Sequence, residues 1–561
     1  MQTFRMKKFL FLFLISIVLF SCARVGSPVG GSKDTIAPNF LGSNLDSARV
    51  NVPTSLKELR LDFDEYITLK EIQKNLNISP PIQKIKRILP SSLGNKFILI
   101  QWDDSLQANT TYNFNFGNAI ADLNEGNVLP YFNYAFSTGD KLDELYISGE
   151  VKDGLAKTDE KAATKKNYVV GLYKASDSVD YRKKPYYLTK ADADGYYELN
   201  YLSPGTYRIV AFDDDNQNSV MDLGKEAVAF RKEPVVLDKS ISGLNLSVYP
   251  TKKAVKQTEI KEIPGGILML FEGKPTKVEV LSVTDKLNDY KVTHQPKSDS
   301  VNVLFDAKKL NLGQDQMERI QLSYDADGKK DTVQYSYRYN KTNELTISNA
   351  KSNVFAPNQD FVISANMPVE KIQPEKWTLK SDSITRDFTA KISETNPKQI
   401  IVSSAFEVGK KYQLTVPKNT VSSFYEVLPK SYQFNFEIDK AENYGSITLN
   451  LENKPAQKFW LQFLSEKNEI AFQRFTDAAQ NKFTEIKPGK YTIRILVDNN
   501  GNGFWDEADV SNETSAEDVY LFPKNIEIRP LWENVETWNL NEQSPVTSSS
   551  TTPTPPVKTP K

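Results

Sequence analysis

Apolar side chains in this sequence recur at every second residue, and that period limits what the chain can fold into more than any other feature. Leu59, Leu61 and Phe63 alternate with Arg60 and Asp62, the pattern of a strand with one buried face. The rhythm returns in Thr111-Tyr112-Asn113-Phe114-Asn115-Phe116-Gly117 and in Tyr131-Phe132-Asn133-Tyr134-Ala135-Phe136-Ser137-Thr138. Helical periods are nearly absent, with residues 68–76 the only short candidate. The 26 Tyr and 30 Phe, with many Val, Ile and Thr, suit pleated surfaces. The expected fold class is therefore all-β, and the length of 561 residues suits five modules of about 100 residues each.

The N-terminal residues follow a different rule. Met6-Lys7-Lys8 precedes an apolar stretch from Phe9 to Phe20, interrupted only by Ser16 and followed by Ser21-Cys22. This stretch is shorter than the roughly 20 residues that cross a bilayer and has the length of a signal-peptide core. Leu19-Phe20-Ser21-Cys22 resembles the lipobox of bacterial lipoproteins. That resemblance implies cleavage before Cys22 and acylation of its sulfur and new α-amino group. Several acyl chains, at about 0.8 kcal/mol per buried CH₂, would hold a water-soluble chain at a membrane. An ordinary secretory leader with a cysteine at its end is the alternative. Cys22 is the single cysteine, so no intramolecular disulfide can form and stability must come from core burial.

Charge excludes one class of partner. Lys and Arg total 70 against 71 Asp and Glu, with a pI near 6.2, and no basic stripe marks a nucleic-acid surface. Residues 23–32 are small and Gly/Pro-containing and read as a tether. Residues 543–561, rich in Ser, Thr and Pro, cannot bury a core and read as disordered or extended.

Leu59-Arg60-Leu61-Asp62-Phe63-Asp64-Glu65-Tyr66, with Thr111-Tyr112 and the closing Tyr134-Ala135-Phe136-Ser137-Thr138, resembles the bacterial Ig-like domain of S-layer SbsA type. Tyr66 stands where that motif has proline. A weaker echo runs through Phe361 to Pro368, Lys411 to Val416 and Ser431 to Phe436. A second module type occurs twice: Leu202-Ser203-Pro204-Gly205-Thr206-Tyr207-Arg208-Ile209-Val210 matches Ile486-Lys487-Pro488-Gly489-Lys490-Tyr491-Thr492-Ile493-Arg494. Pro followed by Gly sets a turn by fixing φ and then permitting a positive φ, and Asp194-Gly195 is a hairpin signal. These copies resemble the carboxypeptidase-regulatory-like, or prealbumin-like, β-sandwich. The expected order is a signal peptide (1–21), a lipidated tether (22–34), an Ig-like domain (35–140), a prealbumin-like sandwich (141–250), two further Ig-like sandwiches (251–348 and 349–439), a second prealbumin-like sandwich (440–541) and a tail (542–561). Such an order resembles Ig-like-domain lipoproteins of the Bacteroidota type.

Two Asx-rich loops carry the most specific chemistry. Asp498, Asn500, Asn502 and Asp506 stand at positions 1, 3, 5 and 9 of an EF-loop-like order, with Gly503 at position 6, the Phe504 carbonyl at 7 and Asp509 at 12. Calcium takes six to eight hard oxygens, so this spacing makes Ca2+ the candidate ion. The first copy keeps Asp214, Asn216, Asn218 and Asp222 but has Ser219 for glycine and Lys225 at position 12. An Asx-rich turn that satisfies its own backbone is the alternative reading of both loops.

Other signals are weaker. Asp62, Asp64 and Glu65 could form a glycosidase-type carboxylate pair, but alternation places Asp62 and Asp64 on the solvent face of a strand. His294, the only histidine, lacks a nucleophile elbow or a metal-ligand partner in sequence. Asp-Ser/Thr triplets at Thr35, Ser47, Ser105, Ser178, Ser300, Thr332 and Ser383 exceed the roughly two that average composition gives. They resemble the O-glycosylation sequon of Bacteroidota envelope proteins, though Asp-Ser pairs also mark turns.

These readings converge on a non-enzymatic lipoprotein that holds a structural or binding surface in the cell envelope. Ala23 after Cys22 implies, by the lipoprotein resemblance, sorting to the outer membrane, with the leaflet open. A glycan- or protein-binding adhesin using Trp460, Trp505, Trp532 or Trp538 as stacking aromatics is the alternative. A polysaccharide hydrolase comes last.

Overall fold

The computed structural model describes residues 34–542, except 46–48, 156–165, 176–178, 285–286, 311–315, 339–343 and 351. Cys22, the leader, Ser47, Ser178 and the Ser/Thr/Pro-rich tail therefore lie outside the described residues. Among the described residues no helix is long and apolar enough to cross a membrane. The described chain is nearly all β, arranged as tandem sandwiches.

The chain divides into two compact units, with the division between Leu142 and Asp143. In the first, the strand Glu58–Leu69 follows the predicted alternation: Leu59, Leu61, Phe63 and Ile67 are buried. It pairs with Phe40–Ser43 and Asn95–Trp102, and Ile120–Asp122 joins its far end. A three-stranded sheet, Asn77–Ser79, Thr111–Asn115 and Asn133–Ser137, closes the sandwich. Trp102, Phe114, Phe116 and Phe136 fill its core. The short helical candidate contains one turn of helix, Ile72–Asn75.

Among the described residues the second unit holds eight sheets of three or more strands, each confined to one stretch of chain: two within residues 145–248, two within 256–338, two within 347–438 and two within 445–539. In the first and last of these stretches the opening strand pairs in parallel with the closing one. Leu145–Asp153 runs beside Leu246–Val248, and Gly445–Glu452 beside Glu533–Asn539.

Two turn expectations need correction. Neither Gly205 nor Gly489 has a positive φ; the left-handed residues are Tyr201 (φ 60) and Glu485 (φ 53), four residues earlier in each copy. The reason is the tyrosine that follows. Tyr207 and Tyr491 donate their hydroxyls back to the Ser203 and Lys487 carbonyls at 2.9 Å, and the ring of Tyr207 lies against Gly205, where a side chain would crowd it. Gly195 does take φ +85, but its turn joins strands of opposite sheets rather than a hairpin.

The modules do not follow one another as separate beads. The strand Gly205–Asp213 sends Tyr207, Ile209 and Ala211 into its own sandwich, and the alternate residues Val210 and Phe212 into a second core. That second core is shared with Leu496, Ala508, Val510, Ala516 and Val519 of the last module. Both faces of this sheet are dry, so its strands read as continuous apolar runs. Polar groups close the joint: Arg494 Nη1 donates to the Leu155 carbonyl (3.0 Å), Arg208 pairs with Glu513 (3.3 Å), and Lys252 N–H donates to the Ala508 carbonyl (2.8 Å).

Candidate functional site

The two Asx-rich loops leave equivalent strands, Gly205–Asp213 and Gly489–Val497, at the rim of this shared core. In the second loop the Asp498 carboxylate accepts the Asn502 N–H (3.0 Å) and the Gly503 N–H (2.7 Å). Asn500 Oδ1 accepts the same Asn502 N–H, and Asn502 Oδ1 accepts the Phe504 N–H. Asp506 Oδ2 receives both amide groups, from Asn500 (2.6 Å) and Asn502 (2.7 Å). The first loop repeats this frame. Asp214 accepts the Asn218 and Ser219 N–H groups at 3.0 Å, and Asn216 Nδ2 donates to Asp222 Oδ2 at 2.6 Å. Ser219 takes φ +59 at the glycine position.

Asp509 does not join its loop. Its carboxylate caps the 3-10 turn Val510–Asn512 instead, accepting the Asn512 N–H at 3.2 Å. The carboxylate that closes the second loop is Glu517: Oε1 accepts the Asn499 (2.8 Å) and Asn500 (3.1 Å) N–H groups and Oε2 the Asp506 N–H (2.8 Å). Its counterpart in the first loop is Glu226, whose Oε2 accepts the Asp222 N–H at 2.9 Å. Sequence spacing missed both because they sit on the far side of the loop. Their signal is that each stands two residues before a strand, Val228–Phe230 and Val519–Leu521.

The electrostatics of the two loops differ. Asp506 is met by the Lys297 ammonium, which also lies 4.8 Å from the Phe504 ring centre. Burial opposes ionisation of Asp506, but Lys297 and the Asn500 and Asn502 amides outweigh it and hold its pKa below the usual range. Burial raises the pKa of Glu517. It pushes that of Glu226 up to about 7, with the Asp214 and Asp222 charges adding to the effect. Among the described residues no three His, Cys, Asp or Glu side chains stand as a ready-made metal cage.

The remaining candidates are dispersed. Asp62 pairs with Arg60 at 2.8 Å. Asp64 accepts both the backbone and side-chain N–H groups of Asn39 at 2.9 Å, which hold its pKa low. His294, half-buried on the strand Tyr290–His294, lies 3.3 Å from the Ser298 carbonyl. Thr35, Ser105, Thr332 and Ser383 are exposed, while Ser300 is half-buried at a strand start.

The tryptophans correct the stacking expectation. Trp460 and Trp505 pack at the shared core, donating to the Gly503 and Glu517 carbonyls at 3.0 Å, and Trp538 is buried in the last module. Only Trp532, 53% exposed beneath the Arg529 guanidinium, presents a ring to solvent.

The first sandwich, with its alternating Glu58–Leu69 strand, can be placed by comparison. Residues 34–138 match the bacterial Ig-like domain family. No curated protein matches the chain by sequence. Among solved structures, the chain is similar to the S-layer protein rSbsC(31-844), at 9% identity over 87% of this chain and 67% of that one, with a TM-score of 0.14. BcpA, the major pilin subunit of Bacillus cereus, aligns at 10% identity over 70% of this chain and 99% of its own, with a TM-score of 0.13. A Bacteroides ovatus protein of the mixed-linkage glucan utilization locus, SGBP-B in complex with a mixed-linkage heptasaccharide, aligns at 12% identity over 65% and 90%, with a TM-score of 0.20.

Proposed function

We propose that this chain is a non-enzymatic outer-membrane lipoprotein, held by lipid on Cys22, whose sandwiches serve a structural or binding role in the cell envelope. The observation that carries this reading is the core shared by residues 145–248 and 445–539. Four modules of the second unit are thereby tied by their ends, which suits a part that must hold its geometry. Two acidic residues of the Ig-like domain support it too, since Asp62 and Asp64 are engaged by Arg60 and Asn39. Hydrolysis of a polysaccharide ranks last for that reason.

A glycan- or protein-binding adhesin is the second reading, favoured by Leu531, Trp532 and Val535, which are exposed beside one another in sequence at an outer strand of the last module. Such a role requires outward display.

Cell fractionation of a Cys22→Ser variant tests the anchor. The wild-type chain is expected in the outer-membrane fraction, and the variant, lacking the sulfur that takes the lipid, in soluble fractions. Retention of the variant in the membrane would contradict the proposal. Protease added to intact cells separates the two roles: shaving of the chain places it outward, and full protection removes the adhesin reading.

A further inference from the structure

The two loops share a frame but differ at the closing carboxylate. In the second, every Glu517 oxygen has a backbone donor, and a lysine ammonium already faces Asp506. In the first, Glu226 is 4% exposed and its Oε1 has no hydrogen-bond partner. The N–H equivalent to that of Asn499 belongs to Asp215, and it donates to the Asp213 carbonyl at 2.9 Å, reaching Glu226 only weakly. Lys225, beside Glu226, is exposed. A buried carboxylate oxygen without a donor is costly unless something positive meets it.

We infer that Asp214, Asn216, Asn218, Asp222 and Glu226 form a binding site for a divalent cation, and that Lys297 takes the place of such a cation in the second loop. The donor set is oxygen only and includes three carboxylates, which selects calcium over the softer transition metals. Glu226 is held for this task from behind: Thr251 Oγ1 donates to its carbonyl at 2.9 Å, and its Oε2 is fixed on the Asp222 N–H, leaving Oε1 as the open ligand. The Asn216 amide now donates to Asp222 Oδ2. Its Oδ1 accepts the Asn218 N–H at 3.0 Å, so a cation at Asp222 would have to displace the Asn216 Nδ2 from that carboxylate. The first loop, which has a lysine at position 12 of the EF-like order, is thus the better cation site because its last acid comes one residue later.

Calcium titration of the full chain in detergent, followed by calorimetry, tests this assignment. The wild-type chain is expected to bind one Ca2+. Glu226→Gln, which keeps the shape and removes the charge, should weaken binding at least about tenfold, while Glu517→Gln leaves it unchanged. Lys297→Met should raise the stoichiometry from one to two, an arm that stands even if the Glu226 variant fails to fold. The inference is overturned by no binding at millimolar calcium, by unchanged affinity in Glu226→Gln, by loss of binding in Glu517→Gln, or by a stoichiometry that stays at one in Lys297→Met. Failure of the membrane anchor would leave this result untouched.

Discussion

Phe212→Ala should destabilise the second unit by about 3–5 kcal/mol, the cost of removing a fully buried aromatic ring and leaving a cavity. The ring is 0% exposed and lies in the core between the two similar modules, not in the core of its own sandwich. That placement gives the prediction its value. If the modules stood apart as beads, Phe212 would lie on a wet sheet face and its truncation would cost less than about 0.5 kcal/mol. Denaturant unfolding followed by tryptophan fluorescence reads the difference, since Trp460 and Trp505 border the same core. A midpoint within error of wild type would mean that this core adds nothing.

The second large effect is expected at a position that no side chain can enter. Gly149 lies in the strand Leu145–Asp153, and a β-carbon there would fall 2.1 Å from the Leu244 carbonyl oxygen. That same oxygen accepts the buried Tyr197 hydroxyl at 2.6 Å, so a methyl group would both crowd the backbone and strip the hydroxyl of its partner. Gly149→Ala should therefore cost about 3 kcal/mol, from overpacking together with an unpaired buried polar group. Thermal unfolding measures it. An unchanged melting temperature would show that the loop carrying Leu244 can move aside.

How much of this was legible in the sequence depends on distance along the chain. Leu59, Leu61 and Phe63 announce their strand because alternation is a local property, and all three are buried as expected. The match between Tyr207 and Tyr491 likewise announces two similar modules. Their pairing was present only as a hint, in the unbroken apolar run Ile209-Val210-Ala211-Phe212. Alternation with one wet face would have put a polar residue at 210 or 212, and reading that run as a sheet covered on both sides would have predicted the joint. What covers the outer face lies nearly three hundred residues away, and no local pattern names it. The loops show the same limit. Asp498, Asn500, Asn502 and Asp506 were found from spacing, because Asx turns are built from neighbours. Glu226 and Glu517 were missed because each reaches its loop from two residues before the following strand, at a separation set by insertion length rather than by a motif. Asp509 satisfied the spacing rule and still turned away, because an N-cap was nearer. Three of the four tryptophans went inward, where their large apolar area is best spent, with each of Trp460 and Trp505 finding a carbonyl for its indole N–H.

The central claim is that residues 143–542 work as one body because their first and last modules share a core. Native-state hydrogen exchange at two amides tests it most directly. Lys252 N–H donates to the Ala508 carbonyl at 2.8 Å and Ala508 N–H to the Pro250 carbonyl at 3.3 Å, a parallel bridge between modules that sequence places far apart. Both amides should exchange slowly, opening together with those of the strand Gly205–Asp213. Free exchange at Lys252 and Ala508, while the strand amides of each sandwich stay protected, would contradict it.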